Sequence, residues 1–158
     1  MLLHATPKSS RSYKALIPHL ARKHRVIAPD TLGFGASEPL PENVTLSMLG
    51  DSVADLIEDL NAKPAMVFGL HTGNKIGAAL AVDHPEHVTR FILCGMTHSI
   101  IPDQKDRENA IRAVLTNPLT RVDISDDEEV DRENGAKSID AIYAANYRFD
   151  LESNLGSI

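Results

Sequence analysis

Sulfur chemistry, long apolar runs and an excess of positive charge are all missing from this 158-residue sequence. Cys94 is the only cysteine, which excludes an internal disulfide and any multi-cysteine metal site. It reads as a small buried hydrophobe in a strand. The longest apolar stretches, such as residues 78–82 and 91–94, fall far short of the roughly 20 residues needed to span a bilayer, so no membrane association is expected. The N-terminus opens Met-Leu-Leu-His and reaches Pro7 and Lys8 at once, without the apolar stretch of a secretory signal. A cytoplasmic location is the expectation. Net charge is −6, with acids and bases interspersed over most of the length, so no basic stripe exists to attract a phosphate backbone and nucleic acid is not an expected partner.

The apolar share of 42% is enough for an ordinary buried core in one domain. Leu2 and Leu3 read as the end of a buried strand, stopped by His4-Ala5-Thr6-Pro7. From Ser12, Tyr13, Leu16, Ile17 and Leu20 recur at helical spacing, and Arg22, Lys23 and His24 collect where a helix C-terminus favours positive charge. Val26-Ile27-Ala28 predicts a short strand, followed by a glycine-rich loop at residues 31–37. Thr45 suits the N-cap of a second helix whose apolar stripe is Leu49, Val53, Leu56, Ile57 and Leu60. Ala65-Met66-Val67-Phe68 predicts a strand buried on both faces, and Phe91-Ile92-Leu93-Cys94 another. Between them, Ile76, Ala79 and Leu80 mark a third helix rich in small residues, stopping at His84-Pro85. Helices alternating with short apolar strands predict an α/β fold with a mostly parallel sheet.

Beyond Pro102 the pattern changes. Ala110, Ile111, Val114 and Leu115 predict one helix, Ile139, Ile142 and Tyr143 another, and no strand is evident. Residues 122–133 hold seven acids, Asp123, Asp126, Asp127, Glu128, Glu129, Asp131 and Glu133, which predicts a solvated loop. Nothing there has the spacing of a calcium loop with its central glycine, and neither a metal nor a cofactor is expected.

Three segments carry chemistry: His4-Ala5-Thr6-Pro7 after the first strand, Pro29-Asp30-Thr31-Leu32-Gly33-Phe34-Gly35-Ala36-Ser37 after the second, and Gly69-Leu70-His71-Thr72-Gly73 between a strand and a helix. With His84-Pro85-Glu86-His87-Val88 following, their order and spacing resemble the α/β-hydrolase family over residues 2 to about 102. The resemblance implies an incomplete α/β-hydrolase fold, with residues 1–102 a partial core and 103–158 the start of a helical cap. It also implies that Gly69 to Gly73 is the nucleophile elbow, a strand-to-helix turn too tight for side chains two residues either side of its apex. Gly69 and Gly73 meet that requirement. The family's apex is serine, or aspartate or cysteine in some branches; here it is His71, a residue type that tolerates positive φ better than most.

The resemblance further implies an oxyanion hole from the backbone N–H groups of Thr72 and Thr6. Ala5 stands where the family has glycine. His4 and Asp30 are implied to support the turn and the loop, and His98, just after a strand, is placed to line a pocket. Asp103 is a further carboxylate, read as a solvated loop residue. The triad acid and histidine of the family belong to later strands not in this sequence, so the chain reads as a fragment or shortened product. Imidazole can attack a carbonyl or serve as a general base on water, whereas the hydroxyl of Thr72 begins the helix and should point away from the apex.

Three functions follow as expectations. One is a hydrolase acting on a small ester, amide or related substrate, with an altered nucleophile. The second is a non-catalytic small-molecule binding protein that kept the cleft. Dehalogenase or epoxide hydrolase chemistry, the third, would need a carboxylate at position 71.

Overall fold

The computed structural model of the chain describes residues 1–95, 98, 101–116 and 129–158, with backbone alone at 114–116 and 129–134. Three parallel strands, β1 (Leu2–Leu3), β2 (Ala65–Leu70) and β3 (Val88–Cys94), form a sheet in the order β1-β2-β3. Leu3 pairs with Gly69, Phe68 with Ile92 and Leu70 with Cys94. Parallel neighbours need crossover connections, and helices supply them: α2 (Leu46–Asp59) precedes β2 and α3 (Thr72–Asp83) joins β2 to β3. The α/β class expected from the sequence is the one observed.

Helix α2 starts where the sequence says it should. The Thr45 hydroxyl oxygen accepts the Met48 N–H at 3.1 Å, satisfying one of the donors a helix N-terminus leaves open. Its stripe of Leu46, Leu49, Val53 and Ile57 is buried against Val67 of β2 and Ile76 and Leu80 of α3. This aliphatic cluster, joined by Leu3 and Phe34, is the core of the chain.

Other expectations need correction. The helix expected from Ser12 is broken into a 3₁₀ turn at Ser10–Tyr13 and a short α1 at Ile17–Leu20. Pro18 sits in the first turn of α1, where a missing N–H is tolerated but the preceding residue cannot continue a regular helix. Tyr13 alone of that stripe is deeply buried. Its phenol donates to Leu3 O at 2.9 Å and stacks edge-on against Phe68; burial, with the nearby Cys94, pushes the phenol up to about 12. Residues 26–28 are not a regular strand, although Ile27 O accepts the Leu2 N–H at 2.8 Å; Pro29, without an N–H, closes off any longer ladder. Neither 65–68 nor 91–94 is buried on both faces: Met66 is 40% and Ile92 49% exposed, because alternate side chains of β2 and β3 project into an open groove on one face of the sheet, and Cys94, at the end of β3, is exposed rather than buried.

Among the described residues only helices follow residue 103: α4 (Gln104–Thr116), α5 (Glu129–Arg148) and α6 (Leu151–Leu155). Helix α5 sends Ile142 and Ala145 into the core, and Leu151 of α6 is fully buried. Of the acidic run read as a loop, Glu129, Asp131 and Glu133 are in the opening turns of α5, where the helix dipole favours negative charge; Asp123, Asp126, Asp127 and Glu128 lie outside the described residues. No described helix is long and apolar enough to cross a membrane.

Ile57 has no exposed surface, so Ile57→Ala removes buried methyl groups and opens a cavity. Urea unfolding followed by circular dichroism should show a loss of about 2–5 kcal/mol. A loss below ~1 kcal/mol would mean that α2 is not packed on the sheet as described.

Candidate active site

The chain leaves β2, makes one residue of turn and enters α3 at once. That residue is His71, at φ 50° and ψ −108°, a conformation costly for most side chains and least so for His, Asn and Asp among those with a Cβ. A Cβ built on Gly69 would meet Gly73 O at 2.6 Å and Asn74 N at 2.7 Å, and one on Gly73 would meet Leu3 O at 2.2 Å. Both glycines are thus required by backbone packing, Gly69 within the turn and Gly73 against β1.

His71 is exposed at the C-terminal end of the strands. Its imidazole lies over Gly95, whose added Cβ would stand 3.0 Å from both Cε1 and Nε2 of the ring. The His71 N–H donates to Cys94 O at 3.0 Å. Asn74, fully buried in the first turn of α3, grips Cys94 at both of its backbone groups: its Nδ2 donates to Cys94 O at 2.7 Å and its Oδ1 accepts the Cys94 N–H at 3.0 Å. The end of β3 is therefore locked to the elbow. Thr72 opens α3, so its N–H has no carbonyl one turn back within the helix.

Two further turns flank the elbow. His4 is buried, and the Thr31 N–H donates to its Nε2 at 3.1 Å. A nitrogen that accepts from an amide carries no proton, so the proton belongs on Nδ1, which donates to Ala5 O at 3.0 Å. This neutral imidazole ties the 4–7 turn, with half-buried Thr6, to the glycine-rich loop. Asp30 organises that loop. Its carboxylate accepts the Ser10 N–H at 2.8 Å and the Ala36 N–H at 2.9 Å. Burial alone would raise its pKa, but these hydrogen bonds outweigh it and hold the carboxyl below the usual range. His4 and Asp30 thus act on backbone groups, as expected of supporting residues.

The C-terminal helices reach this region through polar contacts. Ser138 of α5 donates to Gly33 O at 2.7 Å. Lys75, one turn beyond the elbow and almost fully buried, donates from Nζ to Asn146 O at 2.6 Å. Asn146 Nδ2 in turn donates to the Thr72 hydroxyl at 3.5 Å, so that side chain faces α5. Arg107 of α4, also buried, donates to Ile101 O and Pro102 O, both at 2.6 Å. Burial, together with the charge of Arg107 and against the pull of Asp150, pushes the Lys75 ammonium down to about 8.

The residues singled out from the sequence fall into two groups. His71, Gly69, Gly73, Thr72 and the 4–7 turn with Thr6 are gathered around the strand ends by β1, β2 and α3. His98 is half-buried in the turn after β3; of its four immediate neighbours, none is among the described residues. Asp103 is no free loop carboxylate, since its Oδ1 accepts the Asp106 N–H at 2.9 Å and caps α4. Asn74, Lys75, Asn146 and Gly95 went unnoticed in the sequence. Lys75 left one signal there, the single basic residue of a helix made mostly of small and apolar ones. An apolar groove of about 610 Å³ lined by Leu2, Leu20, Ile27, Met66 and Ile92 is a separate feature that does not include His71.

A family model described as alpha/beta hydrolase fold matches residues 1–120. A 2-hydroxymuconate semialdehyde hydrolase of Pseudomonas sp. (strain CF600) is 38% identical over 85 residues, 53% of this chain and 30% of that protein. Haloalkane dehalogenase 1 of Mycobacterium tuberculosis (strain ATCC 25618 / H37Rv) is 33% identical over 96 residues, 59% of this chain and 32% of that protein. The chain thus spans about a third of the length of these relatives. Among solved structures, a hydrolase from Pseudomonas aeruginosa PA01 superposes with a TM-score of 0.73 at 25% identity, covering 99% of this chain and 66% of the other. The enol-lactonase from Burkholderia xenovorans LB400 gives 0.70 at 21% identity, covering 99% and 67%, a likeness of fold.

Gly73→Ala should destabilise the chain by about 1–3 kcal/mol or more, because the new methyl group overlaps the Leu3 carbonyl; a thermal midpoint equal to the parent's would show that the elbow does not press on β1. Lys75 gives a pH test. In the unfolded chain its pKa is 10.5 and in the folded one about 8, so the folded state loses the proton first and stability should rise between those values. The rise is worth about 3 kcal/mol. Measured against Lys75→Met, the parent should gain stability from pH 8 to 10.5; a flat difference would place the ammonium in water.

Proposed function

Because the chain belongs to the α/β-hydrolase fold family, as the match over residues 1–120 establishes, we propose that it forms the elbow-bearing part of a hydrolase that cleaves a small ester, amide or related acyl compound. The observation that carries this reading is His71 itself, held at positive φ where strand meets helix and exposed beside Gly95. The relatives' names, a semialdehyde hydrolase and a haloalkane dehalogenase, support hydrolytic chemistry without naming a substrate for this chain.

In this reading a neutral His71 nitrogen attacks the acyl carbon, and the carbonyl π electrons move onto oxygen. The N–H groups of Thr72 and Thr6 face that oxyanion, with no reorganisation needed as charge develops. Collapse breaks the bond to the leaving oxygen or nitrogen, which takes a proton from solvent, while the ring's other nitrogen gives up its proton to solvent; the neutral acyl-imidazole left behind is hydrolysed by water to the acid and free imidazole. Helices α4–α6, from about residue 103 onward, act as a cap over residues 1–102, with His98 lining the mouth.

Activity towards aryl acetates and short acyl amides tests this. His71→Ala should lower kcat/KM by about 10²-fold or more with an unchanged circular dichroism spectrum; equal turnover in parent and variant removes His71 from the reaction. A second reading is favoured by one observation: among the described residues no carboxylate pairs with the His71 ring. In that reading the cleft binds a small molecule without turning it over. Small acyl compounds would then raise the thermal midpoint while no product forms.

A further inference from the structure

The corner joining α3 to β3 lies at the N-terminal end of the strands, where Val88 pairs with Ala65, and so at the opposite end of the sheet from His71. Its sequence is His84-Pro85-Glu86-His87. Pro85 opens a 3₁₀ turn over Pro85–His87, and the tight turn brings ligand atoms of His84, Glu86 and His87 within 4.8 Å of one another.

His87 is the anomaly. Its side chain is 5% exposed, yet among the described residues neither ring nitrogen has a partner aligned for a hydrogen bond. Carboxylate oxygens do stand close, Glu58 Oε1 2.9 Å from Nε2 and Glu86 Oε1 2.9 Å from Nδ1. At that separation both carboxylates attract the ring, Glu58 at Nε2 and Glu86 at Nδ1, without being fully aligned as hydrogen bonds; a buried ring held this way gains from a better-directed partner. His84 shows the complementary half of the pattern, with Nε2 2.7 Å from Asp51 Oδ1.

Helix α2 therefore places a carboxylate beside the Nε2 of each histidine, Asp51 for His84 and Glu58 for His87, while Glu86 adjoins the Nδ1 side of His87. A metal-bound histidine commonly has a carboxylate on its other nitrogen in just this way, fixing its tautomer and orientation. Carboxylates also outnumber ammonium groups at this corner: Asp51, Glu58 and Glu86 surround it, and among the described residues Lys63 is the one ammonium paired with them, at 2.9 Å from Glu58 and 3.9 Å from Glu86.

We infer that His84, Glu86 and His87 form a binding site for a divalent transition-metal ion of the zinc class, with Asp51 and Glu58 as outer carboxylates that orient the two imidazoles. Two imidazoles and a carboxylate suit zinc, nickel or copper rather than magnesium or calcium. Tetrahedral coordination needs ligand atoms about 3.4 Å apart. His84 is only half-buried and Glu86 is exposed, so both can close on an ion held by the fixed His87.

The test is calorimetric titration of the full chain with zinc chloride and, separately, magnesium chloride, in a buffer that does not chelate. One zinc per chain should bind saturably and raise the thermal midpoint, and excess chelator should reverse the shift. His84→Asn and Glu86→Gln, both at accessible positions, should each weaken binding about tenfold or more, and Asp51→Asn about tenfold. His19→Asn and His24→Asn should leave binding unchanged. Circular dichroism checks that each variant is folded, and His87→Asn is not needed for the decision. Absence of saturable zinc binding, equal affinity in His84→Asn and Glu86→Gln, or magnesium binding as tightly as zinc would each overturn the assignment. None of these readouts involves turnover, so their failure is separate from failure of the hydrolase reading.

Discussion

The contact of Gly73 with the carbonyl of Leu3 is the constraint on which the rest depends. A side chain at position 73 would overlap that oxygen by more than an ångström, given a Cβ at 2.2 Å. Only with this closeness can α3 start one residue after β2 ends, and only with that start does residue 71 take a positive φ. The strained position is therefore a consequence of packing rather than an isolated irregularity. Gly69 removes the second obstacle, inside the turn itself, and Asn74 then fastens the end of β3 to the same place.

A second tier of contacts joins the elbow to the helices beyond residue 103. Lys75 reaches Asn146, Asn146 reaches Thr72, and Ser138 reaches the glycine-rich loop at Gly33. These ties are polar and buried, so each is costly to break singly, and Lys75 holds its charge against burial. Apolar packing by Ile142 and Leu151 accompanies them. Helices α5 and α6 are thus part of the same folded unit as the sheet, set down upon the elbow rather than merely following it.

Much of this arrangement was legible in the residues. The elbow glycines, the Thr45 cap and the stripe of α2 announce themselves because each obeys a local rule of sterics, capping or periodicity. His4 and Asp30 were readable as supports for the same reason, since both act on backbone groups nearby in the turn and loop. What escaped notice depends on distant partners. Lys75 meets Asn146 across 71 positions, and no local pattern encodes that. The corner histidines are similar: His84 and His87 look like ordinary turn residues until α2 brings Asp51 and Glu58 beside them. The exposed Ile92 reflects what lies beside an element, not what it is made of, whereas the break at Pro18 obeys a local rule that the helical spacing of Tyr13, Leu16, Ile17 and Leu20 masked, and the helical start at Glu129 reflects the dipole of the helix that follows.

In the proposed reaction, acyl chemistry occurs on the imidazole at the elbow apex. Acid quenching during turnover of an activated aryl ester, followed by peptide mass spectrometry, tests it most directly. The predicted result is an acyl mass increment on the peptide containing His71, absent from the His71→Ala variant. Acylation at Thr72 or Lys75, or hydrolysis with no increment on His71 under conditions that preserve a synthetic acyl-imidazole, would contradict it.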